Sequence, residues 1–187
     1  LNGTTARIRR AAITTVIGPN GAGKSTMFKT IFGLLSVRSG TITLDGRAIT
    51  NFSPRQVLDQ GVAYIPQGRN IFPELSVRHN LELGGVALSD QASLPGRLEK
   101  IMQRFPMLNE KARAQASTLS GGQQKMLEVA RGLLLDPKLI LIDEPSIGLS
   151  PLMVQEVFAI LKSLRDNGVT ILLIEQNAKQ ALQISDY

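Results

Sequence analysis

The stretch from Ile13 to Thr26 constrains the fold more than any other part of this 187-residue chain. Ile13-Thr14-Thr15-Val16-Ile17 is a β-branched run that reads as a buried strand. Gly18-Pro19-Asn20-Gly21-Ala22-Gly23-Lys24-Ser25-Thr26 stops it at once, and a helix is expected from Lys24 to about Phe32. Strand, glycine-rich loop and helix in that order fit a phosphate-binding loop. Gly18, Gly21 and Gly23 stand where a Cβ would keep backbone N–H groups away from phosphate oxygens. Lys24 brings a point charge to the β and γ phosphates, Ser25 offers a hydroxyl to Mg²⁺, and the helix adds its positive dipole end.

Two further motifs narrow the chemistry. Leu139-Ile140-Leu141-Ile142-Asp143-Glu144 is an apolar strand ending in two carboxylates, at the strand end where open α/β sheets bind ligands. Buried carboxylates are costly without a cation or a task. Asp143 is therefore expected to hold Mg²⁺ through water, and Glu144 to polarise the water that attacks the γ-phosphorus. Twenty residues upstream, Thr118-Leu119-Ser120-Gly121-Gly122-Gln123 contains a Ser-x-x-Gln capping box. It sets two bare N–H groups and a hydroxyl at a helix start, which makes a second anion site.

The intervening pattern alternates strand with helix. Thr41 to Leu44 and Arg47 to Ile49 flank Asp45-Gly46, a two-residue hairpin turn. Gly61 to Ile65 reads as a strand stopped by Pro66, and residues 77–117 read as mostly helical, broken at Gly84-Gly85, Pro95-Gly96 and Pro106. A helix from Ser120 to about Leu135, a second with Val154, Val157, Phe158, Leu161 and Leu164 on one face, and a strand from Thr170 to Ile174 complete the pattern. The fold class is α/β, with a mostly parallel sheet core, a small antiparallel β appendage and a helical insert. One domain spans 1–187, with the insert at 77–135 including the 118–123 motif.

Composition excludes several classes. No apolar run approaches the ~20 residues that cross a bilayer. Cysteine is absent, so thiolate and disulfide chemistry are ruled out. A net charge of +6 is compatible with a polyanion, but Lys and Arg are scattered, tryptophan is absent and aromatics make up 4%, so no nucleic-acid partner is expected.

At the three motifs the chain resembles the nucleotide-binding domain of an ABC (ATP-binding cassette) ATPase. The resemblance implies that Ser120, Gly121, Gly122 and Gln123 meet the γ-phosphate held by the loop of a second, identical or different, nucleotide-binding domain. It also implies that Gln67 reaches Mg²⁺ and the attacking water and touches transmembrane permease subunits. Pro66-Gln67-Gly68-Arg69-Asn70-Ile71-Phe72-Pro73-Glu74-Leu75-Ser76-Val77, Glu144-Pro145-Ser146-Ile147-Gly148-Leu149-Ser150-Pro151 and Leu173-Ile174-Glu175-Gln176-Asn177-Ala178-Lys179-Gln180-Ala181-Leu182 look like the LivF-type ATPases of bacterial branched-chain amino-acid importers. That likeness runs from about Ile13 to Asp186. It implies a peripheral subunit at the cytoplasmic face of the plasma membrane that hydrolyses ATP to drive import, served indirectly by a solute-binding protein. A urea-importer ATPase and an inactive nucleotide-binding fragment are the alternative readings.

Three departures from the general ABC pattern stand out. Gln176 takes the place of the switch histidine, and the lone His79 lies elsewhere; Ser150 replaces an aspartate. The segment Leu1 to Ala12 matches poorly, with Ala11 where a turn glycine is frequent. An adenine-stacking aromatic upstream and elements beyond Tyr187 are expected in relatives, so the chain reads as truncated at both ends.

Overall fold

A computed structural model describes residues 3–187; Leu1 and Asn2, the start of the poorly matching segment, lie outside them. In chain order the elements are β1 (Ile13–Ile17), α1 (Lys24–Ile31), β2 (Thr43–Leu44), β3 (Arg47–Ala48), α2 (Pro54–Asp59), β4 (Val62–Ile65) and α3 (Val77–Gly84). There follow α4 (Leu94–Arg104), α5 (Pro106–Glu110), α6 (Gly121–Leu133), β5 (Leu139–Asp143), α7 (Pro151–Asp166), β6 (Thr170–Glu175) and α8 (Ala178–Ile184). Four strands form a parallel sheet in the order β1-β6-β5-β4, and β2 pairs with β3 as a separate antiparallel ribbon. Both φ angles of the ribbon's turn are positive, 52° at Asp45 and 81° at Gly46, as the two-residue hairpin requires.

Side chains of the central strands alternate between two cores. Ile140 and Ile142 of β5, with Ile171 and Leu173 of β6, pack among α3, α4, α6 and α7. Leu139, Leu141, Leu172 and Ile174 face the other way, onto Phe28 of α1 and Val57 of α2. There Tyr64 meets Phe28 edge-on at 6.2 Å between centroids, a favourable aromatic geometry. Coverage on both faces explains the continuous apolar runs.

Several boundaries differ from the pattern reading. Pro95 starts α4 in its first turn rather than interrupting it, because proline costs nothing where no intrahelical N–H bond is needed. Gly84 does end a helix, in a short 3-10 turn. Two helices escaped the reading, α2 with Ser53 and Gln56 forming a capping box, and α8 capped by Asn177. Ser150 caps α7 by accepting from the N–H of Met153. Ala11 sits at φ 50°, a left-handed conformation that glycine would adopt more easily.

Candidate functional site

Parallel pairing sets the carboxyl ends of four strands on one edge: Ile65 lies opposite Ile142, Asp143 opposite Ile174, and Glu175 opposite Ile17. The glycine-rich loop, Gln67, the two acids and Gln176 are thereby gathered at that edge. All of these but Asp143, which is buried behind it, border a cavity of about 330 Å³ lined by Asn20, Gly21, Gly23, Lys24, Ser25, Thr26, Gln67, Glu144 and Gln176. Gly18, Pro19 and Ala22 belong to the same loop without lining it.

Within the loop, Gly21 and Gly23 have φ of 81° and 87°, and Gly23 is the residue from which α1 begins. Lys24 is buried, and its Nζ donates to the carbonyl oxygens of Gly18 (2.7 Å) and Pro19 (2.9 Å). The ammonium is therefore held over the loop by weak, exchangeable partners that phosphate oxygens outbid electrostatically.

Asp143 is 2% exposed, and its Oδ1 has no hydrogen-bond partner among the described residues. Burial pushes its carboxyl above the ordinary range. The Ser25 side chain pulls the other way, Glu144 adds to the rise, and Lys24 and Lys29 oppose it. Tyr64 is pushed up to about 12 by burial and by the Asp143 carboxylate. An orphaned carboxylate oxygen beside a hydroxyl is a donor set suited to a hard divalent cation.

Glu144 is 4% exposed and has φ 49°, a left-handed backbone costing an L-residue about 1–2 kcal/mol. Its N–H donates to the carbonyl of Ile174 at 3.0 Å. One carboxylate oxygen, Oε2, accepts from both Gln67 Nε2 (2.8 Å) and Gln176 Nε2 (2.6 Å). Two of the three candidates for the hydrolytic step, Gln67 and Gln176, are thus hydrogen-bonded to the third, Glu144. His79 is on the surface next to Glu82, remote from this arrangement.

Ser120, Gly121, Gly122 and Gln123 do not line this cavity. Ser120 caps α6 through Gln123 N–H, and Gln123 Oε1 accepts from Ser120 N–H. Gly122 has a second requirement: a Cβ there would meet Met153 Cγ of α7 at 2.9 Å. The capped start of α6 is on the surface of the same chain, apart from the cavity.

Residues not singled out from the sequence complete the surroundings. Lys125 and Glu128 of α6 form a buried ion pair at 2.5 Å; Lys125 also donates to the Gly68 carbonyl and Glu128 accepts from the Asn70 N–H. Arg131 donates to the Asn70 carbonyl and stacks 5.3 Å from the ring centroid of Phe72, whose side chain is 47% exposed. The loop after Gln67 is therefore clamped to α6, the helix that Ser120 caps. Glu175, 1% exposed, was also missed, although an acid ending an apolar strand repeats the signal seen at Asp143.

Comparison with known proteins agrees with this geometry. The ABC transporter family model matches residues 1–147. The chain is 39% identical, over its whole length and 79% of the relative, to the high-affinity branched-chain amino acid transport ATP-binding protein BraG of Pseudomonas aeruginosa. It is 41% identical, over 97% of the chain and 77% of the relative, to a probable branched-chain amino acid transport ATP-binding protein LivF of Archaeoglobus fulgidus. Among solved structures, the ADP conformation of an ABC transporter's ATP-binding cassette matches 96% of the chain and 76% of its own length, with TM-score 0.86 and 30% identity. CbiO1 of Clostridium perfringens, part of an ABC transporter complex, matches 100% and 75% with TM-score 0.88 and 26% identity. With strand-end loops, paired acids and these relatives in agreement, the chain belongs to the ABC transporter family of ATP-hydrolysing transport ATPases.

Proposed function

We propose that this chain is the ATP-hydrolysing subunit of an importer for branched-chain amino acids. It works as a peripheral subunit at the cytoplasmic face of the plasma membrane, with a second nucleotide-binding domain and transmembrane permease subunits. None of the helices among the described residues is long and apolar enough to cross a membrane. The transported class rests on the two relatives named for it, each matched across more than three quarters of its length. The convergence of Gln67 and Gln176 on Glu144, opposite the phosphate loop, carries the mechanistic reading.

ATP is the substrate. Lys24 exchanges its two loop carbonyls for phosphate oxygens, and the N–H groups of residues 18–26 cradle the chain of phosphates. Mg²⁺ bound by Ser25, Asp143 and Gln67 would neutralise charge on the β and γ phosphates; the orphaned Asp143 Oδ1 fits that role. Glu144 takes the proton of the attacking water. Gln67 and Gln176 orient its carboxylate, and neither amide exchanges a proton near neutral pH. Gln176 then donates to a γ-phosphate oxygen at the position where the general ABC pattern has a histidine. Residues 77–135 act as a helical insert that presents Ser120, Gly121, Gly122 and Gln123 to the partner's nucleotide. The Gln67 loop, with Phe72, faces the permease and carries closure outward to it.

Glu144→Gln tests the central assignment. It is expected to keep ATP binding and lower turnover by roughly 10² to 10⁴, the range for loss of a general base. Steady-state hydrolysis within threefold of the parent overturns the reading.

A further inference from the structure

Glu175 is a buried carboxylate that the mechanism above does not use. It ends β6 at 1% exposure, and no Lys or Arg among the described residues pairs with it. Desolvation and the nearby Glu144 both push its carboxyl upward. Its two oxygens are instead met by Ser146, whose N–H donates to Oε1 at 3.2 Å and whose Oγ donates to Oε2 at 2.8 Å, with the Gln176 backbone N–H also contributing.

Ser146 stands two residues after Glu144, on the turn whose first residue has the unfavourable φ of 49°. The chain at the end of β6 grips that turn at three consecutive residues. The Ile174 carbonyl accepts from the Glu144 N–H, Glu175 accepts from Ser146, and Gln176 donates to the Glu144 carboxylate. A strained conformation persists only where its surroundings over-determine it. Gln176 is exposed on one side and is open to new partners when nucleotide binds, whereas Glu175 is enclosed.

We propose that Glu175 is a positioning residue for hydrolysis: through its paired hydrogen bonds to Ser146 it holds the turn 144–146 so that the Glu144 carboxylate faces the phosphate loop. The proposal rests on Glu144 being the base. It assigns Glu175 no contact with nucleotide, so binding and chemistry separate in its variants.

The experiment measures turnover and ATP dissociation constant in the full-length protein for Glu175→Ala, Ser146→Ala, their double variant, and Glu175→Gln. Glu175→Ala is expected to lower turnover by about 10- to 100-fold, the loss that follows a small misplacement of a reacting group, with the dissociation constant within about twofold of the parent. Ser146→Ala, which loses the Oγ bond and keeps the N–H bond, lowers turnover in the same direction but by less, and the double variant is no worse than Glu175→Ala, because the bond lost in Ser146→Ala is one of the two lost in Glu175→Ala. Glu175→Gln, which keeps an acceptor for the Ser146 N–H, restores most of the loss. Turnover at the parent value in Glu175→Ala, equal losses in binding and turnover, or multiplicative losses in the double variant overturn the proposal. Should Glu175→Ala not fold, Ser146→Ala decides: unchanged turnover overturns it, and a fall with unchanged binding supports it. Glu144→Gln in the same assay separates the two ideas. If Glu144→Gln remains active, the base assignment fails; if it is inactive while the Glu175 and Ser146 variants match the parent, only the positioning role fails.

Discussion

Single residues in this fold are set between stability and chemistry. Asp143 is buried with an unpartnered oxygen, and its charge is opposed by burial and by Glu144, so in the nucleotide-free protein it works against folding. Asp143→Asn is therefore expected to raise stability without nucleotide by about 0.5–2 kcal/mol while abolishing Mg²⁺-dependent hydrolysis. Thermal unfolding of the two proteins in chelator, beside a hydrolysis assay, checks both halves, and an unchanged or lower midpoint contradicts the first. Ala11 carries strain of a simpler kind. At φ 50° its Cβ crowds the backbone, and its N–H is held by Thr170 Oγ1 at 3.1 Å. Ala11→Gly should stabilise the protein by about 1 kcal/mol, since glycine adopts that conformation freely. A loss of stability would mean that the entropy of the more flexible unfolded chain outweighs the relieved strain.

At the scale of elements, the helix carrying Ser120 is held on two sides. Gly122 lets Met153 of α7 approach, and the Lys125–Glu128 pair grips the loop that follows Gln67. Glu128→Ala leaves a buried ammonium and the Asn70 N–H without their partner, so it should cost about 3–5 kcal/mol in chemical denaturation. The paired change Lys125→Met with Glu128→Leu should recover part of that loss, and no recovery would show that the contacts to Gly68 and Asn70 dominate. These arrangements also mark where pattern reading stops. The glycine-rich loop, the acids at the end of β5 and the capping box of α6 are local signals, and each was legible in the chain. Ser53 and Gln56 carry the same capping signal as Ser120 and Gln123, yet six residues of helix offered no periodicity to accompany it. Which partner Lys125, Glu128 or Glu175 finds depends on segments tens of residues away, and no spacing encodes it. The bonding of Gln67 and Gln176 to a single Glu144 oxygen likewise follows from the alignment of β4, β5 and β6, which appears only once the strands pair.

Among the described residues the glycine-rich loop lines one cavity, and the exposed, capped start of α6 with its two glycines lies apart from it, so under the proposed function that helix start has no nucleotide of its own to meet within the chain. On the proposed function a two-fold dimer would resolve this, because each surface would then face its complement twice and two composite sites would form. Ser120→Arg should fill the helix start with a bulky cation and block closure, yet leave ATP binding to Lys24 and its loop nearly intact. Lys24→Ala should remove binding at its own loop, leaving its α6 start competent. Alone, each variant spoils both sites of its dimer. Mixed, the loop of the Ser120→Arg chain meets the intact α6 of the Lys24→Ala chain, while both lesions fall together in the other site. Equal amounts should therefore recover roughly a quarter of the parent turnover, with half the dimers mixed and one of two sites whole in each, provided the sites act independently. Strict cooperativity would lower this recovery, and counting bound nucleotide per mixed dimer identifies that case by giving one rather than none. If Ser120→Arg alone abolishes ATP binding, α6 contacts the nucleotide of its own chain and the two-fold arrangement is wrong.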